Sequence, residues 1–261
     1  MQALLRISCV VVALISSRRV DSFLTLRNFR PSATYGSVRL LSALASTSDR
    51  MTSMKASSYK DDVVIGLATL LDVSSIVTCT NDAYVADAFF KKPDYHDRFT
   101  EKDVQEMINT PDSVFIIALS LNDRAVCGSL YLQWSTEIPD GSSEEIKTVG
   151  KFSAVAVRQS HQKRGVGRLL INAAEEHIIK MAVEGMDRYN SAPLFPQNSN
   201  LLGAAAVLTM GVINLREELF PWYKSQGFIV GEKMPWDAEL SRITRDGYEH
   251  VHLIKMQKTL L

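Results

Sequence analysis

The stretch RQSHQKRGVGRLLINAAEEH, Arg158–His177, joins two kinds of pattern. Before it, KFSAVAV reads as a strand ending at Val157, within a run expected over Thr148–Val157. After its two glycines, Gly165 and Gly167, apolar residues recur at helical spacing and predict a helix over Gly165–Val183. A helix entered this way has free amides in its first turn. Those amides and the helix dipole would hold a pyrophosphate, and glycine lets a ligand approach the backbone. Lys163, Arg164 and Arg168 add positive charge at the same turn. An ordinary glycine-rich strand-to-helix connection is the alternative. The spacing is not that of a phosphate loop, which needs G-x-x-x-x-G-K-[ST], nor of a dinucleotide fingerprint, because Leu170 stands where the third glycine belongs. The basic run has no interleaved aromatics and does not predict nucleic-acid binding.

The 261 residues carry 29 Lys and Arg against 29 Asp and Glu, so no global field points to a polyanion. The balance is uneven. Residues 1–50 hold seven Arg, no Lys, and only Asp21 and Asp49, which leaves 51–261 mildly acidic. Cys9, Cys79 and Cys127 are far apart and form no zinc or disulfide pattern, so no metal site is expected. Ile7–Ser16 is an apolar run too short to span a membrane and suited to a signal-peptide core, so no stable membrane insertion is expected. The Arg- and Ser-rich, acid-poor segment after it has transit-peptide composition. The combination resembles the bipartite plastid presequences of algae with complex plastids, with Phe23 as the residue after the signal cleavage site. A mitochondrial presequence and a secretory signal are the alternatives. The expected organisation is a targeting leader over 1–50, a linker over 51–58 and one domain over 59–261.

Within that domain, Asp62–Leu70 reads as a strand and Ser74–Phe90 as a helix. Thr100 with Asp103 three residues on marks the start of a short helix closed by Pro111. Ser113–Leu121 and Ala125–Trp134 read as a hairpin. After the Arg158–His177 region, Glu184–Asn200 reads as a loop and Gly203–Ile213 as a buried strand. REELFPWYKSQGF reads as a short helix ended by Gly227, and two closing strands follow in IVGEKM and EHVHLIKMQKTL. The order β-α-α-β-β-β-α-β-α-β-β describes a mixed α/β domain on one sheet.

FSAVAVRQSHQKRGVGRLL resembles the signature of the GCN5-related N-acetyltransferase superfamily, a strand followed by Q/R-x-x-G-x-G/A and a helix; Gln162-Lys163-Arg164-Gly165-Val166-Gly167 matches all of it. The superfamily's last block, a tyrosine-bearing helix followed by G-F, is similar to WYKSQGF with Tyr223, Gly227 and Phe228. The resemblance implies a central sheet with a V-shaped split between the fourth and fifth strands, holding acetyl-CoA as co-substrate. It implies that backbone groups over Val155, Ala156 and Val157 meet the pantetheine arm. The amides of Gln162, Lys163, Arg164, Gly165, Val166, Gly167 and Arg168 would meet the pyrophosphate. Tyr223 would be the acid for the departing thiolate. The acceptor would be an amine, of a small molecule or a protein; a non-catalytic acyl-CoA-binding relative is the alternative function.

A base for the acceptor amine is not evident. Glu217 and Glu218 are candidates, with a helix first-turn role as the competing assignment. Arg216 stands where many relatives carry Asn, free either to pair with a Glu or to reach the cofactor. His161, His250 and His252 are expected at the surface or rim. Lys91–Phe99 is expected to shape the acceptor side, and the mild acidity of the domain favours a cationic acceptor. Oligomeric state is not legible.

Overall fold

The computed structural model describes residues 55–56, 63–95, 97–137, 145–190, 203–234 and 238–261; the expected leader and residues 191–200 of the stretch expected as loop lie outside them. One mixed sheet is built from β1 (Lys55–Ala56), β2 (Val63–Leu67), β3 (Ser113–Ser120), β4 (Val126–Glu137), β5 (Glu145–Val157), β6 (Gly203–Ile213), β7 (Ile229–Lys233) and β8 (Leu253–Thr259). The spatial order is β1-β2-β3-β4-β5-β6-β8-β7. All neighbours are antiparallel except β5 and β6. The helices are α1 (Val73–Tyr84), α2 (Glu101–Asn109), α3 (Val166–Asn190), α4 (Leu219–Ser225) and α5 (Ala238–Ile243).

The expected order is present with two additions. β1 extends the sheet into the stretch expected as linker, pairing Lys55 with Ile65 and Ala56 with Val64. α5 stands between the last two strands. Two residues of strand and six of helix are too short to repeat a periodic pattern, so neither announces itself in the sequence. α3 continues to Asn190 instead of stopping at Val183, and residues 184–190 are therefore helix, not loop. Gly185 faces β4, where a Cβ would come within 3.2 Å of Thr136 Cγ2. A glycine stands there because the helix lies close to the sheet.

The two faces of the sheet bury two clusters. Against α3 lie Ile116, Leu130, Leu132, Phe152 and Leu208, met by Leu170, Ala174 and Ile178 from the helix. Against α1 and α2 lie Phe115, Ile117 and Tyr131, met by Val73, Ile76, Cys79 and Val104. Alternation along β3 and β4 sends successive side chains to opposite faces. Gly150 is part of this packing: a Cβ there would fall 2.5 Å from Ile178 Cγ1, so α3 lies against bare backbone. The expected cap of α2 is present, with Thr100 Oγ1 accepting from the Asp103 amide at 3.2 Å and Asp103 accepting from the Thr100 amide at 2.7 Å. Among the described residues no helix is long and apolar enough to cross a membrane.

Candidate active site

β5 and β6 pair in parallel from Glu145–Gly203 to Lys151–Thr209 and then part, although β5 runs on to Val157 and β6 to Ile213. The fork is closed at its base by Thr209 Oγ1 donating to the Gly150 carbonyl at 3.1 Å. Beyond it, β6 pairs only with β8 and β5 only with β4. This is the expected split, between the fourth and fifth strands when the short β1 is left uncounted.

A bulge shapes the open edge of β5. Ser153 stands opposite Tyr131 and Ala156 opposite Ser129, so Ala154 and Val155 share the single partner Leu130. Ala154 takes up the turn with φ of 52°. The side-chain phase shifts as a result: Phe152 packs in the α3 cluster, whereas Ala154 and Ala156 pack in the α1–α2 cluster. Val155 and Val157 line a cavity of about 580 Å³ that fills the fork; Ala156 is buried away from it.

The glycine turn closes one end of the cavity. Gln162 Nε2 donates to the Val157 carbonyl at 3.1 Å and pins the turn to the end of β5. Lys163 and Gly165 both have positive φ, 60° and 88°. At Gly165 this conformation favours glycine, and the space where its Cβ would point is open. The first helical bond of α3 runs from the Leu169 amide to the Gly165 carbonyl at 3.1 Å, leaving the amides before it without intrahelical acceptors. Gln162, Lys163, Gly165, Val166, Gly167 and Arg168 line the cavity. Arg164 is exposed and does not.

Tyr223 reaches the same cavity from α4 and is 7% exposed. Its helix ends in a Schellman turn: the Gly227 amide bonds the Lys224 carbonyl at 2.9 Å and the Phe228 amide bonds the Tyr223 carbonyl at 3.2 Å, with φ of 89° at Gly227. That turn folds Phe228 back onto the Tyr223 ring, 5.9 Å between centroids, while Trp222 and Phe152 flank it at 4.7 and 6.3 Å. Burial raises the phenol well above its ordinary pKa, so it stays a neutral donor.

Opposite Tyr223 are residues that carried no motif. Tyr84 and Asp87, at the end of α1 and in the 3-10 turn after it, line the cavity, and Asp87 is 4% exposed. Arg216 Nη1 donates to Asp87 Oδ1 at 2.6 Å and its Nε to Glu218 Oε1 at 2.5 Å. Arg216 thus pairs with acids, one of them 129 positions away in sequence. Its hydrogen bond holds the Glu218 carboxyl below the usual range. Glu218 is the N-cap residue of α4 and caps no amide with its side chain, and the exposed Glu217 precedes it. Asp87 was legible only as an acid inside the apolar run YVADAFF, a position where a carboxylate needs a partner. Lys91 and Arg98, from the loop expected to shape the acceptor side, also line the cavity. His161 sits at the cavity rim, bonded to Ser160 at 2.9 Å, and His250 is exposed. Among the described residues no cluster of His, Cys, Asp and Glu could hold a metal.

Residues 83–198 match the model of the acetyltransferase (GNAT) family. No curated protein matches at a significant level. Among solved structures, the chain is similar to NAA60 of Arabidopsis thaliana in complex with acetyl-CoA, at 12% identity and TM-score 0.49 over 76% of this chain and 98% of that one. It is also similar to the PaiA N-acetyltransferase of Thermoplasma acidophilum in complex with coenzyme A (13%, TM-score 0.48, 75% and 98%). A third is the ribosomal-protein-S18-alanine N-acetyltransferase of Escherichia coli (13%, TM-score 0.46, 76% and 94%). The match takes in the forked strand β5 and α3, and it is this stretch, residues 83–198, that is of the acetyltransferase (GNAT) family.

Proposed function

We propose that the chain transfers an acetyl group from acetyl-CoA to a primary amine by direct attack. The observation that carries this reading is the fork between β5 and β6, which opens onto the first-turn amides of α3 at one end and Tyr223 at the other. Acetyl-CoA fits the residues present. The open space at Gly165 and the free amides suit a pyrophosphate, with Lys163 and Arg168 beside it. The bulged, unpaired edge of β5 at Val155 and Val157 suits the amide-bearing arm.

In the reaction the amine nitrogen attacks the thioester carbonyl. One ammonium proton passes to solvent before attack; the N–C bond then forms, the C–S bond breaks, the thiolate takes a proton from its donor, and the second proton lost by the nitrogen restores that donor through water. Holding both reactants in the fork supplies the main advantage, about 7–11 kcal/mol at best. Tyr223, kept protonated by burial, is the donor to the sulfur. Both carboxylates lining the cavity are held by Arg216, which leaves deprotonation of the amine to water. That same observation favours a second reading, a non-catalytic acyl-CoA binder. Release of free CoA thiol by the full chain with acetyl-CoA and a panel of amines tests both: amine-dependent release supports the enzyme, and tight binding without release supports the binder. The leader composition further supports removal of the first part of the chain on import, into a plastid in preference to a mitochondrion or the secretory pathway.

A further inference from the structure

The Tyr84 ring carries two cations. Arg98 Cζ lies 5.1 Å from its centroid and Lys91 Nζ 5.5 Å. The backbone that presents Arg98 is fastened one helical turn before Tyr84. Asn81 Oδ1 accepts from the amides of Arg98 and Phe99 at 2.8 and 3.0 Å, and its Nδ2 donates to the Phe99 carbonyl at 2.9 Å. Phe99 is itself buried, edge-on to Phe115 at 6.3 Å. Arg98 therefore enters the cavity from a fixed anchor, with its guanidinium seated on an aromatic face.

Beyond the aromatic faces of Tyr84 and Phe99, no anionic group among the described residues answers its charge. No acceptor reaches its buried Nε, and no carboxylate among the described residues pairs with it. The two carboxylates of the cavity, Asp87 and Glu218, are both taken by Arg216. Lys163 and Arg168 stand at the glycine turn, where phosphates are accounted for. Lys91, Lys151 and Arg216 line the same cavity as Arg98. The acidity of the whole domain pointed to a cationic acceptor; Arg98 at the cavity points instead to an anionic group on it. A guanidinium offers a planar fork of donors that matches a carboxylate, and a buried donor without a partner is costly unless a ligand supplies one.

We propose that Arg98, held on Tyr84, receives a carboxylate of the acceptor, so that the acetylated amine belongs to a small amino-acid-type molecule and not to a polyamine or simple alkylamine. This rests on the N-acetyltransferase reading. The acceptor's carboxylate lies against Arg98 while its amine faces the thioester in the fork.

The test uses the full chain, acetyl-CoA and matched pairs: leucine against 3-methylbutylamine, phenylalanine against 2-phenylethylamine, lysine against cadaverine, with the amino-acid amides as a third arm. We expect kcat/KM to favour the carboxylate member by about 10- to 100-fold, the range for a charge-assisted hydrogen bond. Arg98→Gln should bring the pairs to parity by raising KM for the acids, with the amines and acetyl-CoA affinity unchanged. Arg98→Lys, which keeps the charge and loses the fork, should retain part of the preference. Amines or amides that equal the acids would overturn the proposal, as would a preference that survives Arg98→Gln. Turnover of no pair member, or a variant that weakens acetyl-CoA binding in place of acceptor binding, would also overturn it. Failure of the wild-type chain to bind acetyl-CoA would instead remove the N-acetyltransferase reading.

Discussion

Gly167 lies under the Trp222 indole: a Cβ on Gly167 would stand 3.3 Å from both Cζ2 and Cη2 of that ring. Two glycines of one motif are thereby constrained differently. Gly165 has its positive φ and open space, whereas Gly167 is constrained by a side chain arriving from α4. Acetyl-CoA should raise the melting temperature of the full chain, by about 2.7 kcal/mol of stabilisation at a hundredfold excess over Kd. Gly165→Asp should abolish that shift by placing a carboxylate where the proposed site would receive the pyrophosphate. Gly167→Ala should lower the unliganded melting temperature by displacing Trp222, and Trp222→Leu should restore part of it. A ligand shift undiminished in Gly165→Asp would detach the turn from cofactor binding.

Tyr223→Phe keeps the ring among Phe152, Trp222 and Phe228 and deletes only the donor. Acetyl-CoA affinity and melting temperature should change little, while kcat falls about 10²-fold, the lower range for a general acid. Because burial raises the phenol, the wild-type rate should show no loss from its ionisation as pH rises through its ordinary value of 10. An unstable variant with full specific activity would assign Tyr223 to packing alone.

Arg216→Met leaves Asp87 buried without its ion partner and should cost on the order of 2–3 kcal/mol of stability in chemical denaturation. Glu218 is the exposed partner, and Glu218→Gln should cost under about 1 kcal/mol. The double change Arg216→Met with Asp87→Asn should be more stable than Arg216→Met alone. Equal losses in both would show that Asp87 does not need the guanidinium.

His177 is half-buried on α3, edge-on to Trp134 at 4.8 Å, with no acceptor or donor at its Nε2. Burial, with Lys180 nearby, lowers its pKa below the ordinary 6.5. Its neutral form is favoured in the folded chain, so the unfolded chain binds the proton more readily between the two values. The associated stability is full above pH 6.5 and is lost as pH falls through the lower, folded value. His177→Phe should keep the aromatic contact and flatten the fall of melting temperature between pH 7 and mildly acidic conditions. An unchanged pH dependence would show that other groups set it.

If the leader is removed on import, Edman or mass-spectrometric analysis of the protein from its own cells should find a mature chain beginning after about residue 45. A chain that still starts at Met1 would refute processing.

Features governed by neighbours in the sequence were legible before the structure. The hexad Gln162–Gly167, the Thr100–Asp103 capping box and the Gly227 turn rest on local backbone geometry, which a few adjacent residues determine. The strand and helix order follows from periodicity for the same reason. What crosses the chain was not legible. The bulge at Ala154 appears only in the register of β5 against β4, and the close approach of α3 to β4 at Gly185 and Thr136 appears only in their packing. The cavity brings together three stretches far apart in the chain: Tyr84 with Asp87, Arg98, and Arg216 with Tyr223. The role of Arg216 was open in the sequence because its acid partner, Asp87, is reached only when α1 and the end of β6 converge on the fork. Local sequence determines conformation over a few residues; charge pairing and burial depend on which distant segments share a space, and that is settled by packing.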